Sequence, residues 1–203
     1  MLVLDWMDGV AVRGAGPLIA HHGLDRTVLA RELLHVVLRQ ILIDGVFYAD
    51  PHPGNVLVRA DGTLALLDFG SVGRLDALQQ AALRRAMLAM TRRDPRQLRD
   101  ALVDIARPRS TMDEDLLEAA LGQLLVGRLA DDMTPDPALF ADLLRLMLEF
   151  GLAFPPHVAA VFRALVTLDG TLRSLDPGFN VLDHAKGGDR GPRTLHAQTR
   201  RAA

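Results

Sequence analysis

The chain has 203 residues, of which 49% are hydrophobic, with a mean hydropathy of +0.15 and a formal net charge of -2. This length and apolar content predict one substantial folded core and exclude a disordered chain. The nearly neutral charge, with one tryptophan and one tyrosine, argues against a nucleic-acid partner, which needs a basic surface or stacking aromatic residues.

The chain contains no cysteine, so it can form neither a disulfide nor a thiolate metal site. Its first residues, "MLVLDWMDGV", carry acidic residues where a signal peptide needs a positive charge. No uninterrupted apolar run approaches the roughly 18 to 20 residues of a membrane span. These features predict a cytoplasmic protein, with peripheral membrane contact as an alternative.

Apolar residues at helical spacing predict a long helix over 25–44, capped by Asp25 and closed by Gly45. The segments "NVLV" and "TLALLDF" then predict two short strands around an Asp-Gly turn, which is the pattern of a β-hairpin. After residue 74 only helices are predicted. Their approximate ranges are 75–92, 95–106 after Asp94-Pro95, 113–130, a helix from Asp136-Pro137 to Gly151, and one from Pro155-Pro156 to Ser174.

The predicted fold class is mainly α with a small β-hairpin. Residues 1–182 are expected to form one helical unit in which the hairpin is embedded. Residues 183–203 have little apolar content and are expected to form a flexible basic tail.

The hairpin carries a candidate site at its two ends. In "DPHPGN", Asp50 and Asn55 flank two prolines and a glycine, which restrict the backbone to a tight loop, so both side chains can face one ligand. Antiparallel pairing of the two strands is expected to bring Asn55 close to Asp68, in "DFG". Oxygen ligands of this kind suit magnesium that is held jointly with phosphates.

The same residues occur in the same order in protein kinases. There, a catalytic-loop aspartate accepts the proton of the acceptor, while an asparagine further along and the aspartate of Asp-Phe-Gly hold the metal ions. Asp-Phe-Gly alone is a weak signal, but its combination with "DPHPGN" and an intervening strand, turn and strand is specific.

The segments "LVLDWMDGV", "FYADPHPGNVLV", "LALLDFGSVGRL" and "LDGTLRSLDPGFN" resemble the ABC1 family of atypical kinases, also called AarF, UbiB or ADCK, which is implicated in ubiquinone and lipid metabolism. The similarity extends over about residues 1–182 and implies the C-terminal lobe of a protein-kinase-like fold, with ATP and Mg²⁺ as cofactors. It implies a hinge that meets the adenine at Leu4, Asp5 and Met7, a catalytic carboxylate at Asp50, and magnesium ligands at Asn55 and Asp68.

The chain departs from this family in its phosphate-binding groups. The family's small lobe carries an alanine-rich nucleotide loop and a phosphate-pairing lysine, and neither is found here. The one lysine is Lys186, which follows the motif and lies in the predicted tail. The chain therefore resembles only the hinge and the large lobe, as a truncated copy, a fragment or half of a split enzyme. A separate small-lobe partner chain or a homodimer is expected.

The stretch after Gly70 passes within a few residues into a helix, which leaves no room for a long activation segment. No Ala-Pro-Glu signature follows, and Ala49 stands where kinases of protein substrates have an arginine before the catalytic aspartate. A small-molecule or lipid-linked acceptor therefore fits better than a protein.

Histidines add two further candidates. His52, inside the cofactor-binding loop, either orders Asp50 or Asp68 by a hydrogen bond or only braces the loop. His21, His22 and Asp25 have the residue types of a metal site, but adjacent histidines in a glycine-rich loop are more often solvated.

Three hypotheses for the function follow. The first is an ABC1-type, magnesium- and ATP-dependent kinase or ATPase that is inactive without a small lobe. The second is a non-catalytic remnant or regulatory binding module, because loss of the lysine removes charge stabilisation that phosphoryl transfer requires. The third is a kinase of the aminoglycoside or choline type. The segments "YAD" and "DFG" argue against this third hypothesis.

Overall fold

The computed structural model describes residues 7–108, 112–128 and 139–179. Helices form most of this part of the chain, and its strands are two or three residues long. The prediction of a mainly α fold with small β elements is confirmed. The predicted hinge residues Leu4 and Asp5, the helix start at Asp136-Pro137 and the tail 183–203 lie outside the described residues.

Short-range capping explains where several helices begin. Asp25 Oδ1 accepts the backbone N–H groups of Thr27 and Val28, at 2.8 and 3.1 Å, and Asp94 Oδ1 accepts that of Gln97 at 2.9 Å. Both caps satisfy N–H groups that have no partner inside the helix. The helices are α1 Gly16–His22, α2 Arg26–Arg39, α3 Ala77–Arg92, α4 Pro95–Ile105, α5 Glu114–Arg128, α6 Leu139–Glu149 and α7 Pro156–Leu175.

Three small antiparallel sheets accompany these helices in the described residues. Their strands are β1 Val10–Ala11, β2 Val46–Tyr48, β3 Val56–Val58, β4 Leu64–Leu66, β5 Val72–Arg74, β6 Arg107–Pro108 and β7 Leu152–Ala153. The predicted hairpin is present as β3 paired with β4, and β1 adds to the other edge of β3. A second sheet pairs β2 with β5, and a third pairs β6 with β7.

The expectation of a single hairpin followed only by helices is therefore wrong. Strands β6 and β7 follow residue 74, and they pair with each other across two intervening helices. Strand β5 ends at residue 74 and pairs with β2, which adds a second pair of strands beside the hairpin. Strands of two or three residues are too short to produce an alternating apolar pattern, so their pairing depends on tertiary contacts.

The placement of His21 and His22 in a loop is also wrong. Both residues form the last turn of α1, which has Pro17 in its first turn and ends at Gly23 with φ +62°. Proline at the start and glycine just past the end are ordinary helix boundary signals, so this short helix was readable from the sequence.

Helix α7 is the longest element in the described residues and packs against α2 and α6. Its apolar side chains Val158, Leu168 and Leu172 are at most 2% exposed. The same helix carries Thr171, a fully buried polar residue whose hydroxyl donates to the Pro51 carbonyl. The core thus extends directly to the loop that holds the candidate site.

None of the helices in the described ranges has both the length and the apolar character needed to cross a lipid bilayer.

Replacement of Gly73 by alanine is expected to destabilise the protein. Gly73 lies opposite Phe47 in the β2–β5 sheet, and a Cβ atom at this position would overlap the buried Phe47 ring. Overpacking of this kind typically costs about 1 to 3 kcal/mol. The free energy of unfolding, measured by urea denaturation, tests this. The matched control is Gly170→Ala in α7, where a Cβ meets nothing within 4 Å; it should stabilise by about 0.5 to 1 kcal/mol. Equal effects of the two changes would contradict this packing.

Candidate functional site

The loop from Asp50 to Asn55 is held in a compact shape by its own backbone. The His52 N–H donates to the Asp50 carbonyl and the Asn55 N–H donates to the His52 carbonyl, both at 2.8 Å. The His52 ring accepts the Gly54 N–H at Nδ1, at 3.1 Å. His52 therefore braces its own loop, while its contact with a cofactor stays a prediction.

Two elements distant in sequence fix this loop from outside. From α7, the Thr171 hydroxyl donates to the Pro51 carbonyl, and near the start of the chain the Arg13 N–H donates to the Pro53 carbonyl at 3.3 Å. The loop therefore lies between the helical core and the short turn that follows β1.

Asp50 and Asn55 form a direct pair within the loop. The Asn55 amide nitrogen lies 3.3 Å from Asp50 Oδ2 and 3.4 Å from the Asp50 carbonyl oxygen. With its nitrogen directed at Asp50, the amide presents its oxygen to a ligand. Asp50 is exposed and keeps its second carboxylate oxygen for an incoming group.

Asp68 lies next to this pair because the β3–β4 ladder continues one residue further. The Leu67 N–H donates to the Asn55 carbonyl at 2.8 Å, which brings the backbone before Asp68 beside Asn55. Asp68 has φ +59°, in the left-handed region that non-glycine residues adopt rarely. Its Oδ1 accepts the Gly70 N–H at 3.2 Å, so Oδ2 remains for a ligand.

Tyr48 is a part of the site that the motif did not reveal. It is 2% exposed and lies two residues before Asp50, and its hydroxyl donates to the Leu67 carbonyl. Burial raises the pKa of the Tyr48 hydroxyl to about 12, and the Asp50 and Asp68 carboxylates add to the rise while a hydrogen bond with Asn55 opposes it. The Tyr48 hydroxyl therefore interacts with all three motif side chains, Asp50, Asn55 and Asp68.

The oxygen atoms of the site fit a magnesium ion that is shared with phosphates. Asn55 offers an amide oxygen and Asp68 a carboxylate oxygen, which are hard ligands suited to this cation. Within the described residues, no group of three or more histidine and acidic side chains is arranged to hold a metal ion. A cation here would therefore take its remaining ligands from water and from a bound phosphate group.

Of the other sequence-predicted residues, Leu4 and Asp5 lie outside the described residues. Met7 precedes β1 and is 42% exposed, and its contact with an adenine ring stays a prediction, as do those of Leu4 and Asp5. Asp25 caps α2 with its carboxylate, which gives it a structural role.

Titration of Tyr48 is expected to reflect this environment. The unfolded chain should lose the tyrosine proton near the ordinary pKa of 10.0, whereas the folded chain keeps it up to about pH 12. Because the folded state then binds more protons, stability falls as the pH rises between these two values and is unaffected below them. Tyrosinate absorbance measures this directly, because the chain has one tyrosine. A native midpoint equal to that of the urea-unfolded chain would contradict the burial of the hydroxyl.

Comparison with known proteins agrees with this geometry. Residues 1–102 match the family model described as an ABC1 atypical kinase-like domain, and residues 137–180 match the UbiB helical domain. The uncharacterized protein sll0005 of Synechocystis sp. is 32% identical over 91% of this chain and 27% of its own length.

Two relatives from Arabidopsis thaliana carry kinase names. The chloroplastic protein ACTIVITY OF BC1 COMPLEX KINASE 7 is 28% identical over 90% of this chain and 26% of its own length. The uncharacterized aarF domain-containing protein kinase At1g71810 is 27% identical over 90% of this chain and 25% of its own length. The chain therefore spans about a quarter of the length of these relatives, and it belongs to the ABC1 family of atypical kinase-like proteins.

Proposed function

We propose that the chain is the large lobe of an ABC1-type kinase or ATPase that binds ATP with Mg²⁺ and acts on a small-molecule or lipid-linked acceptor. The observation that carries this proposal is the pairing of Asn55 with Asp50, together with the backbone bond from Leu67 to Asn55 that places the exposed Asp68 one residue beyond this pair. The kinase names of two relatives support the same chemistry.

Each motif residue then has a distinct role. Asn55 and Asp68 hold the cation through the amide oxygen and the carboxylate oxygen that their local hydrogen bonds leave available. Asp50 orients the attacking hydroxyl or water and accepts its proton at the carboxylate oxygen that faces away from Asn55. When bound, magnesium and ATP supply the transferable phosphoryl group and neutralise its charge.

The proposed phosphoryl transfer requires a positively charged, phosphate-binding group, and Asp50, Asn55 and Asp68 do not supply one. Lys186 is the one lysine, and it follows the motif by more than a hundred residues of chain. We propose that the phosphate-binding lysine and the nucleotide loop come from a small lobe outside these 203 residues. Without it, the chain is expected to bind nucleotide weakly and to transfer phosphoryl groups very slowly.

The connection after the Asp-Phe-Gly motif favours a small acceptor. Helix α3 begins at Ala77, only seven residues after Gly70, and β5 occupies part of that interval. A platform for a protein substrate does not fit between them. Quinone or lipid metabolism is the area we propose for the reaction, and contact with a membrane surface would suit such an acceptor.

A non-catalytic role is the second candidate function, and the absence of any lysine before the motif is the observation that favours it. In this case the lobe binds a nucleotide or a partner and regulates rather than catalyses. The match to the ABC1 family does not support the hypothesis of an aminoglycoside or choline kinase.

Asp68→Asn is expected to remove magnesium-dependent nucleotide binding. The change takes away the negative charge that attracts the cation and keeps the size of the side chain. Thermal unfolding with and without magnesium and ATP measures binding as a gain in stability. Ligand at about 100 times its dissociation constant adds on the order of 2.7 kcal/mol, and the variant should lose this gain.

Asp104→Asn is the matched control, because Asp104 is an exposed aspartate on α4 that pairs with Arg85. The control should keep the magnesium-dependent gain in full. A gain that persists in Asp68→Asn would refute the assignment of Asp68. If the wild-type chain unfolds cooperatively but gains no stability from magnesium and ATP, the proposed nucleotide site fails and the non-catalytic role is favoured.

A further inference from the structure

Tyr48 contacts the residues on both sides of Asp68. Its hydroxyl donates a hydrogen bond to the carbonyl of Leu67, the residue before Asp68. Its ring meets the ring of Phe69, the residue after Asp68, edge to face, with centroids 5.7 Å apart. One side chain therefore fixes the chain immediately before and immediately after the aspartate.

Tyr48 is itself held firmly enough to act as a support. It is 2% exposed, and its N–H donates to the side-chain oxygen of Gln40 at 3.0 Å. It also pairs with Val72 across the β2–β5 sheet. Gln40 belongs to a π-helical turn, Gln40–Asp44, that continues α2. The position of Tyr48 thus depends on the helical core and on the strand that follows the Asp-Phe-Gly motif.

Asp68 needs such a support because its backbone is strained. A φ of +59° is uncommon for a residue with a Cβ atom, and it persists only where the surroundings impose it. The carboxylate and the Phe69 ring are both exposed, and Phe69 is 65% exposed. The turn is held mainly through its backbone, by the bonds from the Leu67 N–H to the Asn55 carbonyl and from the Ala49 N–H to the Ser71 carbonyl. The direction of the Asp68 carboxylate therefore depends on the peptide groups that flank it.

We propose that Tyr48 is a positioning residue for Asp68, holding Leu67 and Phe69 so that the carboxylate at the left-handed turn faces the cation together with Asn55. This inference rests on the proposed function, since it assigns Asp68 to a magnesium ion. Tyr48 touches neither cation nor acceptor. Because its hydroxyl also forms a hydrogen bond with Asn55, it acts through both proposed magnesium ligands, and its contact with Phe69 belongs to the Asp68 side alone. Such outer partners set the orientation of a metal ligand and hence its affinity.

Tyr48→Phe tests the proposal, because it removes the hydroxyl and keeps the ring. At a fixed concentration of ATP, magnesium is titrated and the gain in unfolding temperature is followed. The magnesium concentration at half the maximal gain should rise by about 10-fold or more, as is usual when an outer partner of a metal ligand is lost. The magnesium concentration at half the maximal gain should change strongly, whereas the unfolding temperature measured without ligand should change little.

Ile105→Val in α4 is the matched control for a simple loss of stability. Ile105 is 5% exposed, and removal of one methylene from the core costs about 0.5 to 1.5 kcal/mol. This control should lower the unfolding temperature and leave the half-saturating magnesium concentration unchanged. An equal rise in the control would show that general destabilisation explains the effect and would overturn the positioning role.

Phe69→Leu provides a second arm that does not depend on the Tyr48 variant folding. Phe69 is largely exposed, so its replacement should hardly affect stability, but it removes the edge-to-face contact with Tyr48. The magnesium requirement should rise in the same direction, by a smaller factor. Unchanged requirements in both variants, while the wild-type chain responds to magnesium, would overturn the inference alone. A wild-type chain that does not respond would overturn the proposed function and this inference with it.

Discussion

The antiparallel pairing of β3 with β4 is the constraint on which the candidate site depends. The ladder from Val56 opposite Leu66 extends to the bond between the Leu67 N–H and the Asn55 carbonyl. The turn of a hairpin fixes the register in which its two strands pair. Successive side chains of a strand point to opposite faces, so a slip of one residue would move every side chain to the opposite face. The Asp-Gly turn, with Gly62 at φ +80°, thus determines how the two halves of the motif meet.

The helical part of the fold keeps this small hairpin in place. A two-stranded hairpin is marginally stable in water by itself, and here the loop at one end is bonded to Thr171, near the C-terminal end of α7. Helix α7 is in turn tied to the start of α2, where Arg26 donates to the Leu175 carbonyl at 3.0 Å and Thr27 donates to Asp176 at 2.7 Å. Helix α7 therefore supports the loop through a bond between residues 120 positions apart in the chain.

Local signals were sufficient to predict much of this structure. The cap at Asp94, followed by proline, and the turn at Gly62 act over three or four residues, so they could be read directly. The spacing of "DPHPGN" and "DFG" predicted which side chains the hairpin would gather. The left-handed backbone of Asp68 and the role of Tyr48 could not be predicted, because both depend on contacts between segments about twenty residues apart. The same is true of the β2–β5 sheet, in which Gly73 makes room for the Phe47 ring.

The exposure of Asp50 and Asp68 has a consequence for the choice of acceptor. Both carboxylates face solvent, so the described residues provide no barrier between the site and bulk water. Water is present at far higher concentration than any organic hydroxyl group, so in the proposed reaction it would compete for the phosphoryl group at this open surface. Selection of an acceptor over hydrolysis in that reaction would therefore have to come from a cover that closes over the site and excludes water.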